Sequence, residues 1–153
     1  MSEGFKTPRE MSQMSMRAVA GKDKQGWLDL FADDGVVEDP VGPSMFDPEG
    51  KGHHGKQAIG AFFDMTIAIN EKIEFDIRNS YECADEVANV GEITITLAGG
   101  QRARVGGVFV YKVNGKGKLA SLRAFWEADK IEFLDADDAD DADDAEQSSN
   151  GNT

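Results

Sequence analysis

The chain has 153 residues, 40% of them hydrophobic, and this size and composition predict one domain with a core rather than a disordered chain. Its formal net charge of −13 argues against a nucleic-acid partner, because the phosphates of a nucleic acid would repel such a surface. The single cysteine, the lack of a signal-peptide pattern and the lack of an apolar run near ~20 residues predict a cytoplasmic protein without membrane contact.

Helical patterns dominate the first half of the chain. Apolar side chains at helical spacing predict three helices, over residues 8–20, from about 23 to 32, and from 55 to about 67. Gly21 is expected to end the first helix, and Pro40 is expected to end a short strand over residues 36–39. Residues 41–54, which are rich in glycine and proline, predict a loop before the third helix.

Strand patterns dominate the second half. From about residue 72 the apolar period changes to two, and this predicts four strands that begin near residues 72, 87, 102 and 119. Asn114 and Gly115 form a strong hairpin signal between the last two strands. Three helices followed by four antiparallel strands predict an α+β domain, in which the helices pack on one face of a curved sheet.

The negative charge is concentrated near the C-terminus. Seven aspartates and one glutamate lie between residues 135 and 146, and no lysine or arginine follows Lys130. Removing these eight charges from −13 leaves −5 on residues 1–134. Because no large apolar side chain after Leu134 offsets the ordering entropy, residues 135–153 predict a disordered acidic tail behind a folded domain over residues 1–134.

The first predicted strand offers the sharpest candidate for chemistry. Alternation places Val37 and Asp39 on one face of the strand, and Val36 and Glu38 on the other. If Val37 faces the core, Asp39 does so too, and burial would raise its pKa toward the range of a useful general base. In the opposite orientation Glu38 points inward and Asp39 belongs to the following loop. The alternation itself favours neither orientation.

Three segments carry a resemblance to a known family. They are FADDGVVEDPVG at residues 31–42, GKQAIGAFF at 55–63 and NGKGKLASLRAFW at 114–126. These segments closely resemble Δ5-3-ketosteroid isomerases, and the whole chain looks like a SnoaL-like member of the nuclear-transport-factor-2-like superfamily. The resemblance implies a cone-shaped α+β fold with an apolar cavity, no cofactor, and a homodimer.

The resemblance also implies roles for individual residues. Asp39 matches the general base, which moves a proton between C4 and C6 of the steroid. Trp126 and Phe63 match aromatic residues of the steroid pocket, and Val37 shares the face of Asp39. Ser15 and Phe109 stand where the isomerases have the tyrosine and the protonated aspartic acid that form the oxyanion hole. Both side-chain donors are therefore absent at the expected positions.

These departures limit the expected activity. Removing one oxyanion donor costs roughly 10²–10³ in rate, and the loss of two costs more. We therefore expect a weak, cofactor-independent isomerase that binds a steroid or a similar small hydrophobic molecule. The alternatives are a non-catalytic module for ligand binding or dimerisation, and a SnoaL-like polyketide cyclase or dehydratase. No metal site is expected, because the adjacent His53 and His54 lack a recognised ligand spacing.

Overall fold

Helices precede most of the strands, as the change in apolar period predicts. A computed structural model describes residues 5–134, so the predicted tail over 135–153 lies outside the described residues. The helices are α1 (Pro8–Ala20), α2 (Lys24–Leu30) and α3 (Gly55–Thr66). The strands are β1 (Phe31–Glu38), β2 (His53–His54), β3 (Lys72–Cys83), β4 (Glu86–Thr96), β5 (Arg102–Val113), β6 (Leu119–Phe125) and β7 (Glu132–Leu134).

Local side-chain chemistry sets both ends of α1. At its start the Thr7 hydroxyl accepts a hydrogen bond from the Glu10 amide, and the Glu10 carboxylate accepts one from the Thr7 amide. Pro8 occupies the first turn, where its missing N–H costs nothing. Gly21 caps the other end, so the predicted end of this helix is confirmed.

The second helix is shorter than the sequence predicts, and the first strand is longer. α2 ends at Leu30, and β1 begins at Phe31 with no intervening loop. The apolar side chain of Phe31 fits a helical pattern, but Phe31 pairs with Leu119 of β6 and is fully buried. A contact distant in sequence therefore overrides the local pattern at this boundary.

The sheet is mixed rather than wholly antiparallel. Its strand order is β2-β1-β6-β5-β4-β3, and β7 pairs with β5. The four long strands β3 to β6 form antiparallel pairs as predicted, but β1 lies parallel to β6. No hairpin joins β1 to β6, since α3 and three long strands intervene, and so the connection does not force antiparallel pairing. The α+β prediction itself is confirmed, as three helices accompany a curved, unclosed sheet.

The core lies between the helices and the inner face of the sheet. α1 contacts β3, β4 and β5, whereas α3 contacts β1. Aromatic side chains from three elements meet there, with Trp27 of α2 packed edge-to-face on Phe31 and tilted against Phe63 of α3. Within residues 5–134, no helix is long and apolar enough to cross a membrane.

Candidate active site

The alternation in the first strand allows either Val37 or Glu38 to face the core, and in the structure it is Val37 that does so. Val37 is fully buried in the core. Glu38 points to the other side of β1, where its carboxylate lies 2.6 Å from Nε of Arg123. Asp39 follows one residue after the end of β1 and continues the alternation on the side of Val37.

The carboxylate of Asp39 has an unusual environment. The residue keeps part of its surface exposed, yet protein atoms enclose its carboxylate, and this burial raises the pKa of Asp39. The indole N–H of Trp126 donates a hydrogen bond of 2.5 Å to Oδ1, which partly offsets that increase in pKa. Trp126 directly follows β6, so the same strand pairing that positions Arg123 beside Glu38 brings Trp126 to Asp39.

The pairing of β1, β6 and β5 places further inward-facing side chains in the rows next to the Asp39 carboxylate. Val37 of β1, Leu122 of β6 and Tyr111 of β5 are successive partners across three neighbouring strands. One level further along, Phe109 of β5 pairs with Ala124 of β6. The amide of Val41 donates to the carbonyl oxygen of Ala124, so the chain stays next to β6 on both sides of Asp39.

A buried group of polar side chains lies on the helical side of the same interior. The indole N–H of Trp27 donates a 2.8 Å hydrogen bond to the hydroxyl of Ser15, and both residues are 1% exposed. Tyr111 of β5, which is 3% exposed, is also buried in this interior. Burial and the negative charge of Asp39 raise the pKa of Tyr111, while the nearby Ser15 hydroxyl lowers it. The phenol therefore stays protonated at neutral pH.

A second polar chain holds α1 against the sheet. Asn89 of β4 donates to the hydroxyl of Ser12 at 3.0 Å and accepts a 2.7 Å hydrogen bond from Ser80 of β3. The Ser12 hydroxyl in turn donates to the carbonyl oxygen of Arg9. Because Ser12 and Ser15 lie one helical turn apart on the buried face, this chain also fixes the position of Ser15.

The six residues singled out from the sequence fall into three groups in this region. Asp39 and Trp126 are in direct contact, whereas Ser15 and Phe63 both contact Trp27. The remaining two, Phe109 and Val37, belong to the buried core. Trp27 has no predicted site role, and Trp126 is predicted as a pocket wall rather than as a donor to Asp39. Tyr111 shares the inward parity of Phe109 on β5.

The loop between β1 and α3 is organised by Asp47. Its carboxylate accepts hydrogen bonds from the amides of Gly52 at 2.7 Å and Lys51 at 3.3 Å, and the pKa of Asp47 is lowered, chiefly by the bond from Gly52. Beyond this loop, His53 packs on Phe62 with ring centroids 4.9 Å apart. No group of three His, Cys, Asp or Glu side chains with metal-binding geometry occurs in the part of the chain that the structure describes.

Two open grooves lie on the surface, and one of them adjoins the candidate site. Its lining residues come from the loop after β1, from β5 and from the end of β6: Pro40, Val41, Gly106, Gly107, Phe125, Trp126, Glu127 and Lys130. The other groove lies between the N-terminal segment and the β5–β6 hairpin, and its lining does not include Asp39. Trp126 thus both lines the nearer groove and donates to the Asp39 carboxylate.

Comparison with known proteins identifies relatives over most of the chain. A model of the SnoaL-like domain matches residues 13–122. The Mycobacterium tuberculosis protein RV0760c, solved in complex with estradiol-17β-hemisuccinate, is 39% identical with a TM-score of 0.78, and the match covers 84% of this chain and 100% of that chain. The Δ5-3-ketosteroid isomerase from Mycobacterium sp. is 36% identical with a TM-score of 0.79, with 83% and 98% covered. A computationally designed 17-OHP binder is 37% identical with a TM-score of 0.79, with 84% and 99% covered.

Proposed function

We propose a ligand and a reaction for this chain, which belongs to the SnoaL-like family and has a ketosteroid isomerase-like fold. The ligand is a steroid or a similar polycyclic ketone, bound among the apolar side chains between the helices and the sheet. The reaction is a cofactor-independent shift of a double bond by proton transfer within the ligand, with Asp39 as the general base. The relatives solved with, or designed for, a steroid support this ligand class.

The observation that carries this proposal is the environment of Asp39. Its carboxylate is enclosed, its pKa is raised, and among residues 5–134 its hydrogen-bond donor is the neutral indole of Trp126. No arginine or lysine forms an ion pair with it there, in contrast to the neighbouring Glu38. A base is most effective when its pKa lies near the working pH, and a carboxylate reaches that range through burial without a cationic partner.

The proposed mechanism needs one carboxylate for two proton transfers. Ionised Asp39 removes a proton from the carbon between the ketone and the double bond, and the C–H electrons form an enolate whose charge lies on the ketone oxygen. The protonated Asp39 then returns the same proton to the far carbon of the former double bond. The product is a conjugated enone, and Asp39 is again ionised.

A binding protein without catalysis is the second candidate. It is favoured by Ser15 and the apolar Phe109, because the sequence resemblance implies a tyrosine and an acid at these two positions in the isomerases. The similarity to a designed binder at an identity close to that of the isomerase also shows that this fold alone does not separate the two functions.

One pair of assays tests the proposal. The protein is mixed with androst-5-ene-3,17-dione while the absorbance of the conjugated enone is followed, and estradiol is titrated against the tryptophan fluorescence. Isomerase function predicts turnover that Asp39→Asn removes and that Glu38→Gln, the adjacent carboxylate on the other face, retains. Fluorescence quenching without turnover supports the binding protein, and Trp126→Phe identifies which indole reports it. The absence of both signals overturns the proposed function.

A further inference from the structure

The inward face of the sheet stays apolar beyond the level of Asp39. Pairing of β3, β4 and β5 continues it in two further rows, which consist of Phe75, Ile93 and Val105 and then of Ile73, Ile95 and Ala103. Phe133 of β7 pairs with Ala103 and extends the second row. Paired residues point to the same side of a sheet, so Phe133 lies on the side of Ile73, which is buried in the core.

Burial along this face decreases from the candidate site toward β7. In the row before Asp39, the side chains of Val37, Leu122 and Tyr111 are at most 6% exposed. In the opposite direction the apolar side chains are half-buried and then exposed, up to 61% for the last of them, and we call these residues the distal shelf: Phe75, Ile93, Ile95, Ala103 and Phe133. A ligand whose reacting carbon contacts Asp39 therefore has room to extend over the distal shelf, and not into the filled row.

The distal shelf is continuous with the candidate site. Trp126 donates to Asp39, and its Cβ lies 3.0 Å from the position that a Cβ on Gly107 would take, in the row between Asp39 and the shelf. With a rise of about 3.4 Å per residue, β5 carries the row of Ala103 roughly 20 Å beyond the level of Asp39. The fused rings of a steroid cover only part of this distance, and an alkyl chain at C17, the end remote from a ketone at C3, covers the rest.

The side chains of the distal shelf are all apolar, unlike those on the other face of the same strands. On that other face, ion pairs join Lys72 to Glu74 at 3.2 Å and Arg104 to Glu132 at 2.9 Å. A hydroxyl or carboxylate group on the shelf would lose its water and gain no side-chain partner there, whereas burial of an alkyl group is favourable. The shelf therefore fits an alkyl part of a ligand.

We propose that the distal shelf binds an alkyl side chain at C17, so that the substrates of this site are 3-ketosteroids that retain such a chain, and that Phe133 is a specificity-determining residue for it. This proposal rests on the proposed function, because the reacting end of the ligand has to lie at Asp39. Phe133 contacts the end of the alkyl chain and takes no part in the proton transfer.

The first test compares ligands of increasing length and is independent of turnover. Androst-4-en-3-one, pregn-4-en-3-one and cholest-4-en-3-one share the rings and the conjugated ketone, and they carry hydrogen, an ethyl group and a long branched alkyl chain at C17. Each is delivered from cyclodextrin and titrated against the tryptophan fluorescence. Pregn-4-en-3-one is expected to bind about 4- to 15-fold more tightly than androst-4-en-3-one, the range for half to full burial of two carbons, and cholest-4-en-3-one more tightly still.

The second test changes the shelf. Phe133→Ala should weaken cholest-4-en-3-one binding about fivefold, since roughly 40 Å² of apolar contact is lost at about 25 cal/mol per Å². Ala103→Phe fills the row between Ile95 and Phe133 and should weaken it by about tenfold or more. Both variants should bind androst-4-en-3-one within about twofold of the wild type, which also shows that they are folded.

Tyr81→Ala is the matched control for Phe133→Ala. Tyr81 is 60% exposed, close to the value for Phe133, but it pairs with Ala88, which lies between the buried Val87 and Asn89 and so faces the outer side of the sheet. This variant should bind all three ligands as the wild type does. If Phe133→Ala and Tyr81→Ala have equal effects, Phe133 has no specific role and the proposal is overturned.

Two other results also contradict the proposal. One is that the alkyl chain at C17 adds no affinity, and the other is that it adds affinity which neither Phe133→Ala nor Ala103→Phe reduces, because the chain would then lie elsewhere. In both cases binding of androst-4-en-3-one, together with turnover of androst-5-ene-3,17-dione, still supports the proposed function. If none of the three ligands binds and the ketone is not turned over, the proposed function itself fails.

Discussion

Replacing the buried carboxylate by an amide should stabilise the protein at neutral pH. Asp39→Asn keeps the side-chain shape and an oxygen that accepts from Trp126, but it removes the charge. Because burial raises the pKa of Asp39 above its ordinary value of 3.8, the folded protein binds this proton more tightly than the unfolded chain does. The stability of the wild type therefore decreases as pH rises from that ordinary value through the raised one. The amide of the variant does not titrate, so the stabilising effect of the substitution grows over the same range and then levels off.

Two opposing contributions set the size of the effect. The hydrogen bond from Trp126 weakens by about 1 kcal/mol when its acceptor changes from charged to neutral. Relief from burying the charge amounts to several kcal/mol for a fully buried ion, and it is smaller here because Asp39 keeps part of its surface exposed. The net expectation is a gain of about 1–2 kcal/mol in the free energy of unfolding, or about 2–8 °C in Tm for a chain of this length.

Urea unfolding at several pH values between about 4 and 8 measures this effect. Glu38→Gln is the matched control, because it removes a neighbouring carboxylate that is paired with Arg123 at 2.6 Å. This control should be destabilised by about 0.2–1 kcal/mol at neutral pH, so the two substitutions have opposite signs. If Asp39→Asn is destabilising at neutral pH, or if its effect does not grow with pH, the reasoning about the buried charge is wrong.

Three further outcomes are expected. Trp126→Phe removes the indole donor that holds down the pKa of Asp39, so the acidic limb of the pH–rate profile should move to higher pH; an unmoved limb contradicts this role. Ser15→Ala leaves the buried indole N–H of Trp27 without its acceptor and should lower the free energy of unfolding by about 1–3 kcal/mol in urea titrations, whereas unchanged stability would mean that this hydrogen bond is dispensable. Asp47→Ala should lower the hydrogen-exchange protection factors of the amides of residues 51 and 52, and in the wild type these protection factors should fall as pH falls through the lowered pKa of Asp47; equal protection in both proteins would contradict that.

The fold was predictable wherever one face of an element repeats a simple pattern. The period of two in β3 to β6 and the capping residues of α1 are local signals, and the structure follows them. The boundary between α2 and β1 was not predictable in this way, because Phe31 is placed by its pairing with Leu119, which lies far away in the sequence. β2 has only two residues, too few to show a period.

The candidate site was only partly predictable, for a related reason. Alternation narrowed Asp39 to two orientations, and the buried Val37 together with the Glu38–Arg123 ion pair distinguishes them. The hydrogen bonds from Trp126 to Asp39 and from Asn89 to Ser12 join residues that are distant in the chain. Such contacts depend on the relative positions of whole elements, and no local pattern encodes them.

Glu38, the last residue of β1, and Asp39, which directly follows it, are adjacent carboxylates that lie in different environments. The pleat turns Glu38 to the side where Arg123 of β6 neutralises its charge. The next residue, Asp39, faces the interior, where Trp126, directly after β6, is its neutral donor. The same strand therefore holds one carboxylate in an ion pair and leaves the other without a cation, which raises the pKa of Asp39. A one-residue shift in the register of β1 would exchange the two environments, and so register, more than residue type, determines which carboxylate is suited to act as a base.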